Sequence, residues 1–190
     1  MDPQSAKRLV DDAFERIKEC TSIDCLKKIS KDLQIPRKNL IDTESFSKIE
    51  FALTEGDIAE LKRQKIISLD LFLNPGITGK IVDPLTKLLY ALAWKNGDLK
   101  KVRHILKGVL HDCPYTTDPE DGFVFHQFGR YLTKRPGEPI VDQHVLRAFG
   151  IHQVTDEGEI QAYQQMELIG KKQAPLITLY RSWGGANFIL

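Results

Sequence analysis

Apolar residues recur along most of this chain at intervals of three and four, the spacing that places side chains on one face of an α-helix. The clearest example is residues 4–20, where charged residues fill the opposite face. The same rhythm predicts further helices, which in chain order span residues 22–33, 42–53, 55–67, 84–95, 99–110, 122–132, 142–150, 155–169 and 175–183. No stretch shows the strict alternation of a half-buried strand. The predicted fold class is therefore all-α.

The segment that begins at Asp83 and Pro84 predicts the most apolar of these helices. Asp83 suits the N-cap, and Pro84 suits the first helical position, where a missing backbone N–H costs nothing. Apolar residues then lie on most sides as far as Trp94, a pattern that predicts a buried helix. Gly97 is expected to end it as a left-handed C-cap, with Asp98 capping the next helix.

Residues Pro139–Gly150 form a pattern more specific than a generic helix signal. Two apolar residues lead into Asp142, and the apolar residues that follow it at helical spacing are Val145, Leu146, Ala148 and Phe149. Aspartate is a favoured N-cap because its carboxylate accepts hydrogen bonds from the first free backbone N–H groups of a helix. The structural interpretation of Asp142 is therefore a helix cap.

The order of residues in this segment also resembles the catalytic-aspartate segment of the helix-hairpin-helix DNA glycosylases. It runs proline, two apolar residues, Asp142, a variable residue, His144, and then an apolar helix that contains Arg147. That superfamily includes the endonuclease III, adenine glycosylase and 8-oxoguanine glycosylase branches. The resemblance implies an all-helical, two-lobed enzyme that extrudes a damaged or mispaired base and cuts its N-glycosidic bond, with Asp142 as the catalytic carboxylate.

At the superfamily level the similarity extends over residues 85–150. It implies a single glycosylase-like helical unit, residues 1–190, with three parts. Residues 1–80 would be an N-terminal helical scaffold, residues 81–152 the hairpin and catalytic-aspartate core, and residues 153–190 the C-terminal helices and tail.

Two departures from the family pattern bear on the reaction. In the bifunctional branches a lysine fewer than about 20 residues before the aspartate attacks the sugar to form a Schiff base. That window falls here on Phe123 and Val124, and no lysine stands between Lys107 and Lys134. The hairpin position is taken by Asp118–Gly122, which has one glycine and three acids, and acids there would repel a DNA phosphate.

These features leave three hypotheses open. The first is a monofunctional glycosylase that uses water to remove a modified purine, such as oxidised guanine. The second is a relative that binds nucleic acid or a modified nucleotide without cutting it. The third is a helical protein-interaction domain that uses the apolar tail Gly184–Leu190.

Candidate contacts to the base and the phosphates are polar and basic residues around the key segment. They are His144, Arg147, His126, Gln127, Gly122, Lys134, Arg135, Lys171 and Lys172. His144 can equally hydrogen-bond the end of its own helix, and Arg147 can equally pair with an acid. The aromatic residues at helical spacing are interpreted as core rather than as a stacking platform; they are Phe125, Phe128, Tyr131 and Phe149.

Composition limits the kind of DNA contact. The chain has 27 Lys and Arg residues against 26 Asp and Glu residues, a formal net charge of +1. Proteins that coat DNA are far more basic, so binding to the expected partner, double-stranded DNA, requires a local basic face. No run is as long as a membrane span and the N-terminus does not resemble a signal peptide, so no membrane partner is expected.

Cysteine use bears on cofactors and location. Cys20, Cys25 and Cys113 are too few and too scattered for a disulfide framework or a four-cysteine metal site. His111 and Asp112 beside Cys113 lack a second ligand pair at a recognisable spacing, and the four-cysteine iron–sulfur loop of some glycosylase branches is missing. No metal or cofactor is therefore expected, and a reducing, cytoplasmic location is inferred.

Overall fold

A computed structural model describes residues 1–35, 49–110, 122–167 and 169–183 of the chain. The helices in these residues are α1 (Pro3–Glu19), α2 (Ile23–Asp32), α3 (Glu55–Arg63), α4 (Pro84–Lys95), α5 (Lys101–Val109), α6 (Phe123–Leu132), α7 (Gln143–Gln153), α8 (Glu157–Gln164) and α9 (Ile169–Ser182). A 3₁₀ turn spans Ile77–Lys80, and Ile67 and Leu73 form an isolated antiparallel bridge. The all-α prediction is confirmed. Among the described helices, none has the length and apolar character needed to cross a bilayer.

The chain forms two compact units. The first unit comprises Met1–Glu50 and Pro136–Leu190, and the second comprises Phe51–Arg135. The second unit is thus a continuous insertion between the two parts of the first. These limits do not coincide with residues 80 and 152, where the resemblance placed the internal boundaries of a single unit.

Six of the described helices begin at a residue whose side chain caps them, and the caps predicted at Asp83 and Asp142 are among these. A side-chain oxygen accepts a hydrogen bond from a backbone N–H of the first turn at Asp2, Ser22, Thr54, Asp83, Asp142 and Asp156. Each such bond satisfies one of the N–H groups that have no partner inside the helix. The predicted end of α4 is also confirmed, since Gly97 has φ +72° and the N–H of Asp98 donates to the carbonyl of Ala93 at 2.8 Å.

The first unit is centred on aromatic rings from three helices. Phe14 of α1 meets Phe149 of α7 at 5.5 Å between ring centroids, and Phe149 meets Tyr180 of α9 at 5.2 Å. Both pairs are edge-on, an arrangement that aromatic rings prefer to face-to-face stacking. Helix α8 packs closely against Gly150 of α7, because a Cβ on this residue would lie 2.4 Å from the ring of Tyr163. The interpretation of Phe149 as a core residue agrees with its burial.

The second unit depends on a close crossing of α5 and α6. A Cβ added to Gly108 would lie 2.0 Å from the carbonyl oxygen of His126, and one added to Gly129 would lie 2.0 Å from that of Ile105. Each helix therefore places its backbone against a glycine of the other. Around this crossing lies an aliphatic core of Ile58, Ile67, Leu71, Leu106 and Val109.

Three expectations about helices are wrong. Helix α4 has no buried residue, because an apolar surface shows what a helix can bury and not whether the chain covers it. Asp98 forms an ion pair with Lys101 at 2.5 Å, and α5 begins without a side-chain cap. Pro175 lies inside α9 instead of opening it. A proline in a helix interior costs about 3 kcal/mol. Leu176 and Ile177, which follow it, are buried, and burying an aliphatic side chain contributes about 1.5–3 kcal/mol.

The expectation about cysteines is wrong at one pair. Cys20 and Cys25 form a disulfide that closes the turn between α1 and α2. The two cysteines are five residues apart in the chain, and their Cα atoms lie 5.6 Å apart. This distance is within the range that a disulfide spans. The reducing location was inferred from cysteines too few and too scattered for a disulfide framework, and this disulfide weakens that inference. Cys113, like most of the helix predicted over 42–53, lies outside the described residues.

The close approach of α5 and α6 predicts the effect of adding one methyl group. We expect Gly108→Ala and Gly129→Ala each to lower the free energy of unfolding by about 1–3 kcal/mol, because the helices must move apart. Urea unfolding followed by circular dichroism measures the change. Gly56→Ala in α3 is the control, since its Cβ would lie 3.5 Å from the nearest atom and alanine favours helix. Equal midpoints for Gly56→Ala and Gly108→Ala would contradict the glycine crossing.

Candidate functional site

Asp142 is the N-cap of α7 and lies at the surface of the first unit. Its Oδ1 accepts a hydrogen bond from the backbone N–H of Val145 at 2.7 Å, and its side chain is exposed. Pro139 and Val141, just before it, are buried. The buried residues and the cap bond fix the backbone on both sides of a carboxylate that remains accessible. The cap interpretation of Asp142 is confirmed.

Helix α9 places a buried phenol within electrostatic reach of this carboxylate. Burial of Tyr180, together with the negative charge of Asp142, raises the pKa of Tyr180 to about 12. The phenol therefore keeps its proton throughout the physiological range. Ionisation of Tyr180 would place a second negative charge near Asp142 in a buried position, which is why the neutral form is favoured.

The residue after Tyr180 holds the segment that leads into Asp142. Nη2 of Arg181 donates to Oε1 of Glu138 at 2.6 Å, and the exposed fractions of these side chains are 30% and 5%. A carboxylate this deeply buried is costly unless it is paired. The pair thus anchors the chain immediately before Pro139 to α9.

The remaining candidates of the first unit lie on α7 and α9. His144 is exposed in the first turn of α7, and Arg147 is half-buried one turn later. Arg147 forms no ion pair with an acid in the part of the chain that the structure describes. Lys171 and Lys172 belong to α9, and their side chains are outside the description.

In the second unit the polar candidates on α6 are enclosed. Gly122 is the N-cap of α6 with φ +52°, and a Cβ there would lie 3.0 Å from the ring of His104. His126 is 5% exposed and Gln127 is fully buried. A contact from either side chain to a base would require this surface to open. The acidic residues 118–121 of the hairpin position lie outside the described residues.

The two basic candidates after α6 already have partners. Nζ of Lys134 lies 4.1 Å from the ring centroid of Tyr131, a cation–π contact. Arg135 lies 3.7 Å from Glu55 in an exposed ion pair. Exposed pairs of this kind are weak, so a phosphate can compete for Arg135 at little cost.

The predicted site residues are therefore divided between the two units. Asp142, His144 and Arg147 belong to the first unit, with the backbone of Lys171 and Lys172, and the five others belong to the second. The structure adds Tyr180, Glu138 and Arg181 to the surroundings of Asp142. Sequence patterns missed these three because their link is tertiary: Glu138 and Arg181 are 43 residues apart.

Neither a metal-binding cluster in the described residues nor a similarity to a known protein assigns a function to the site. Within the described ranges, no group of three or more His, Cys, Asp or Glu residues could hold a metal ion. The His111–Cys113 segment and the Gly184–Leu190 tail lie outside these ranges. The chain matches no known protein-family model, no curated protein and no solved structure.

The burial of Glu138 predicts a large effect from the loss of its partner. We expect Arg181→Met to lower the free energy of unfolding by about 3 kcal/mol, the lower end for a broken buried ion pair, because Arg181 is partly exposed. Glu138→Gln added to this variant is expected to recover part of the loss, since the buried side chain then carries no charge that the arginine must balance. Urea unfolding at neutral pH measures both.

A matched control uses the other arginine–glutamate pair described above. Arg135→Met breaks the exposed contact with Glu55 and should change stability by less than about 1 kcal/mol. If Arg181→Met and Arg135→Met cost the same, the Glu138 pair does not anchor the segment before Asp142.

Proposed function

We propose that this chain is a DNA glycosylase-like protein of the helix-hairpin-helix type. In this proposal it removes a modified purine, oxidised guanine being the first candidate, from double-stranded DNA in the cytoplasm. Asp142 acts as the catalytic carboxylate. The observation that carries the proposal is that Asp142 combines an exposed carboxylate with a fixed position at the start of α7, in the segment whose residue order resembles that family.

The chemistry suits a carboxylate held in this way. As the N-glycosidic bond breaks, the bonding electrons leave with the base and positive charge develops on the sugar. A fixed negative group beside the sugar stabilises that charge without having to reorganise. Oδ1 of Asp142 is occupied by the N–H of Val145, so Oδ2 is the oxygen available to orient water and to accept its proton as the water oxygen bonds to the sugar carbon.

Water is the proposed nucleophile because the chain has no lysine between Lys107 and Lys134. The reaction would then stop at an abasic site with an intact strand. Helix α9 holds the segment before Asp142 through the Arg181–Glu138 pair, and the buried phenol of Tyr180 stays neutral within electrostatic reach of the carboxylate. His144, Arg147, Lys171 and Lys172 are the proposed contacts of the first unit with the extruded base and the phosphates.

The contacts proposed for the second unit differ in how accessible they are. Lys134 and Arg135 are the proposed phosphate contacts there, and Gly122 offers backbone at the start of α6. His126 and Gln127 complete the proposed set only if DNA binding exposes them.

The proposal predicts that replacing one carboxylate oxygen slows catalysis strongly without unfolding the protein. We expect Asp142→Asn to slow base release by about 10² to 10³-fold, the usual cost of losing one electrostatic group. The fold should persist because asparagine caps helices as well as aspartate does. The assay incubates the protein with duplexes that each carry one labelled modified base and measures free base, with strand breakage expected only after alkali.

The chain offers a matched control for this substitution. Asp156 caps α8 in the same unit and accepts the N–H of Glu159 at 2.9 Å. Asp156→Asn should therefore leave the rate of base release unchanged. An unchanged rate in Asp142→Asn would remove the carboxylate from the mechanism.

A second candidate function is a relative that binds nucleic acid without cutting it. The acids Asp118, Glu120 and Asp121 in the hairpin position favour this hypothesis, because they would repel a DNA phosphate. It predicts no released base from any duplex, together with binding that weakens as salt rises. Absence of nucleic-acid affinity at low salt would reject both candidates.

A further inference from the structure

A cleft of about 360 Å³ lies within the second unit, where the turn of residues 72–78 meets α4 and the start of α5. The whole turn lines it, together with Tyr90 of α4 and with Leu99 and Lys100 just before α5. Small-molecule sites have volumes of roughly 300–1,000 Å³. This 72–78 cleft is therefore large enough for a small ligand.

Hydrogen bonds to the segment that follows α3 hold the turn of the 72–78 cleft in place. The backbone N–H of Asn74 donates to the carbonyl of Ile66 at 2.9 Å, and its side-chain amide donates to the carbonyl of Lys65 at 3.0 Å. Gly76 has φ +79°, a left-handed conformation that glycine adopts without strain. A site that is already ordered in this way loses little entropy when a ligand binds.

Two aromatic rings, those of Phe72 and Tyr90, line the 72–78 cleft. The guanidinium of Arg103 lies 4.3 Å from the centroid of the Phe72 ring, and Nε of Arg103 donates to the carbonyl of Asp70 at 3.2 Å. This cation–π contact fixes Phe72, yet the side chain remains 53% exposed. A fixed and half-exposed ring is a platform on which a planar group can stack.

The charges at the 72–78 cleft favour an anion. Among the described residues that line it, Lys100 alone is charged, and its side chain is exposed. Within three positions of a lining residue the chain also holds two acids, Asp70 and Asp98, and four further cations, Lys80, Lys87, Lys101 and Arg103. Asp98 is paired with Lys101 at 2.5 Å. The surroundings are therefore positive on balance, and a negatively charged ligand is favoured.

We propose that the 72–78 cleft binds a nucleotide, with its base stacked on Phe72 and its phosphate at the ammonium group of Lys100. A nucleotide joins a planar ring to an anion, and these are the two groups that the lining favours. The nucleotide is either free in solution or an unpaired nucleotide of a single strand, since both present the same base and phosphate. The proposal does not rest on the Asp142 chemistry, because Asp142 belongs to the first unit.

The test titrates the full-length protein with adenosine monophosphate (AMP), adenosine and inorganic phosphate by calorimetry. We expect AMP to bind about tenfold more tightly than either part alone, because stacking and charge both contribute. Phe72→Leu keeps an apolar side chain but removes the ring, and it should weaken AMP binding about fivefold or more, the lower end for one stacked base. Lys100→Gln removes the charge, and it should lower the affinity for AMP to that for adenosine.

Phe51→Leu and Lys95→Gln are the matched controls, since both side chains are exposed and neither lines the 72–78 cleft. Both should leave the affinity for AMP unchanged. Asp142→Asn should also leave it unchanged, which separates this site from the proposed glycosylase activity. Circular dichroism checks that the variants remain folded. If Phe72→Leu loses structure, Lys100→Gln still decides the matter, because the Lys100 side chain is exposed.

A second titration distinguishes the two sources of the nucleotide with a labelled DNA single strand of about 10 adenine nucleotides, a length within the usual site size. Tighter binding of the strand than of AMP, weakened by Phe72→Leu, would identify the single strand. Binding of AMP at least as tight as that of the strand would identify the free nucleotide.

Three results would overturn the proposal. The first is the absence of binding for both AMP and the strand. The second is equal affinity for inorganic phosphate and AMP, which would leave an anion site without a base. The third is an affinity for AMP that neither Phe72→Leu nor Lys100→Gln changes, which would place the nucleotide elsewhere.

Discussion

An aspartate carboxylate that accepts a backbone N–H fixes the start of four of the described helices, including the helix that carries the candidate chemistry. It occurs at α1, α4, α7 and α8, with N–H to oxygen distances between 2.6 and 2.9 Å. The bond satisfies an N–H that has no helical partner, and the negative charge suits the positive end of the helix dipole. At α7 the same arrangement leaves one carboxylate oxygen exposed on a rigid support. Structure and candidate chemistry therefore share one residue, Asp142, and the cap fixes the direction in which the carboxylate points.

A cap depends on residues only three positions apart, so the sequence predicts the starts of α4 and α7 correctly, although it fails at Asp98. Burial depends on distant residues, and the sequence does not predict it for α4. Asp83 and Asp142 were recognised as caps from their immediate neighbours. Periodicity showed that α4 is apolar on most sides, but the side chains that would cover α4 are not encoded near it. The same limit applies to Pro175, whose local cost of about 3 kcal/mol predicts a helix start, whereas the buried residues beside it, Leu176 and Ile177, lie in the same continuous helix.

The residues of the candidate site also differ in whether their sequence neighbours mark them. Asp142 has a local signal, whereas Tyr180 and Arg181 reach its segment only through the packing of α9. The sequence around a polar residue on an apolar helix face does not show whether its side chain is buried. Gln127 resembles a pocket residue in the sequence, and the structure encloses it completely. One sequence shows which side chains carry chemistry, and the fold decides which of them a ligand can touch.

The two ends of the chain together build the unit that holds Asp142. The last turn of α7 is tied to α1, since His152 Nδ1 lies 2.8 Å from Asp11 Oδ1 and Lys7 donates to the carbonyl of His152 at 3.0 Å. These contacts close a loop that contains the whole second unit. Closure entropy rises only with the logarithm of loop length, so a long insertion burdens this closure little more than a short one. An insertion that folds on its own core can therefore carry a separate site, such as the 72–78 cleft, while the start of α7 keeps its geometry.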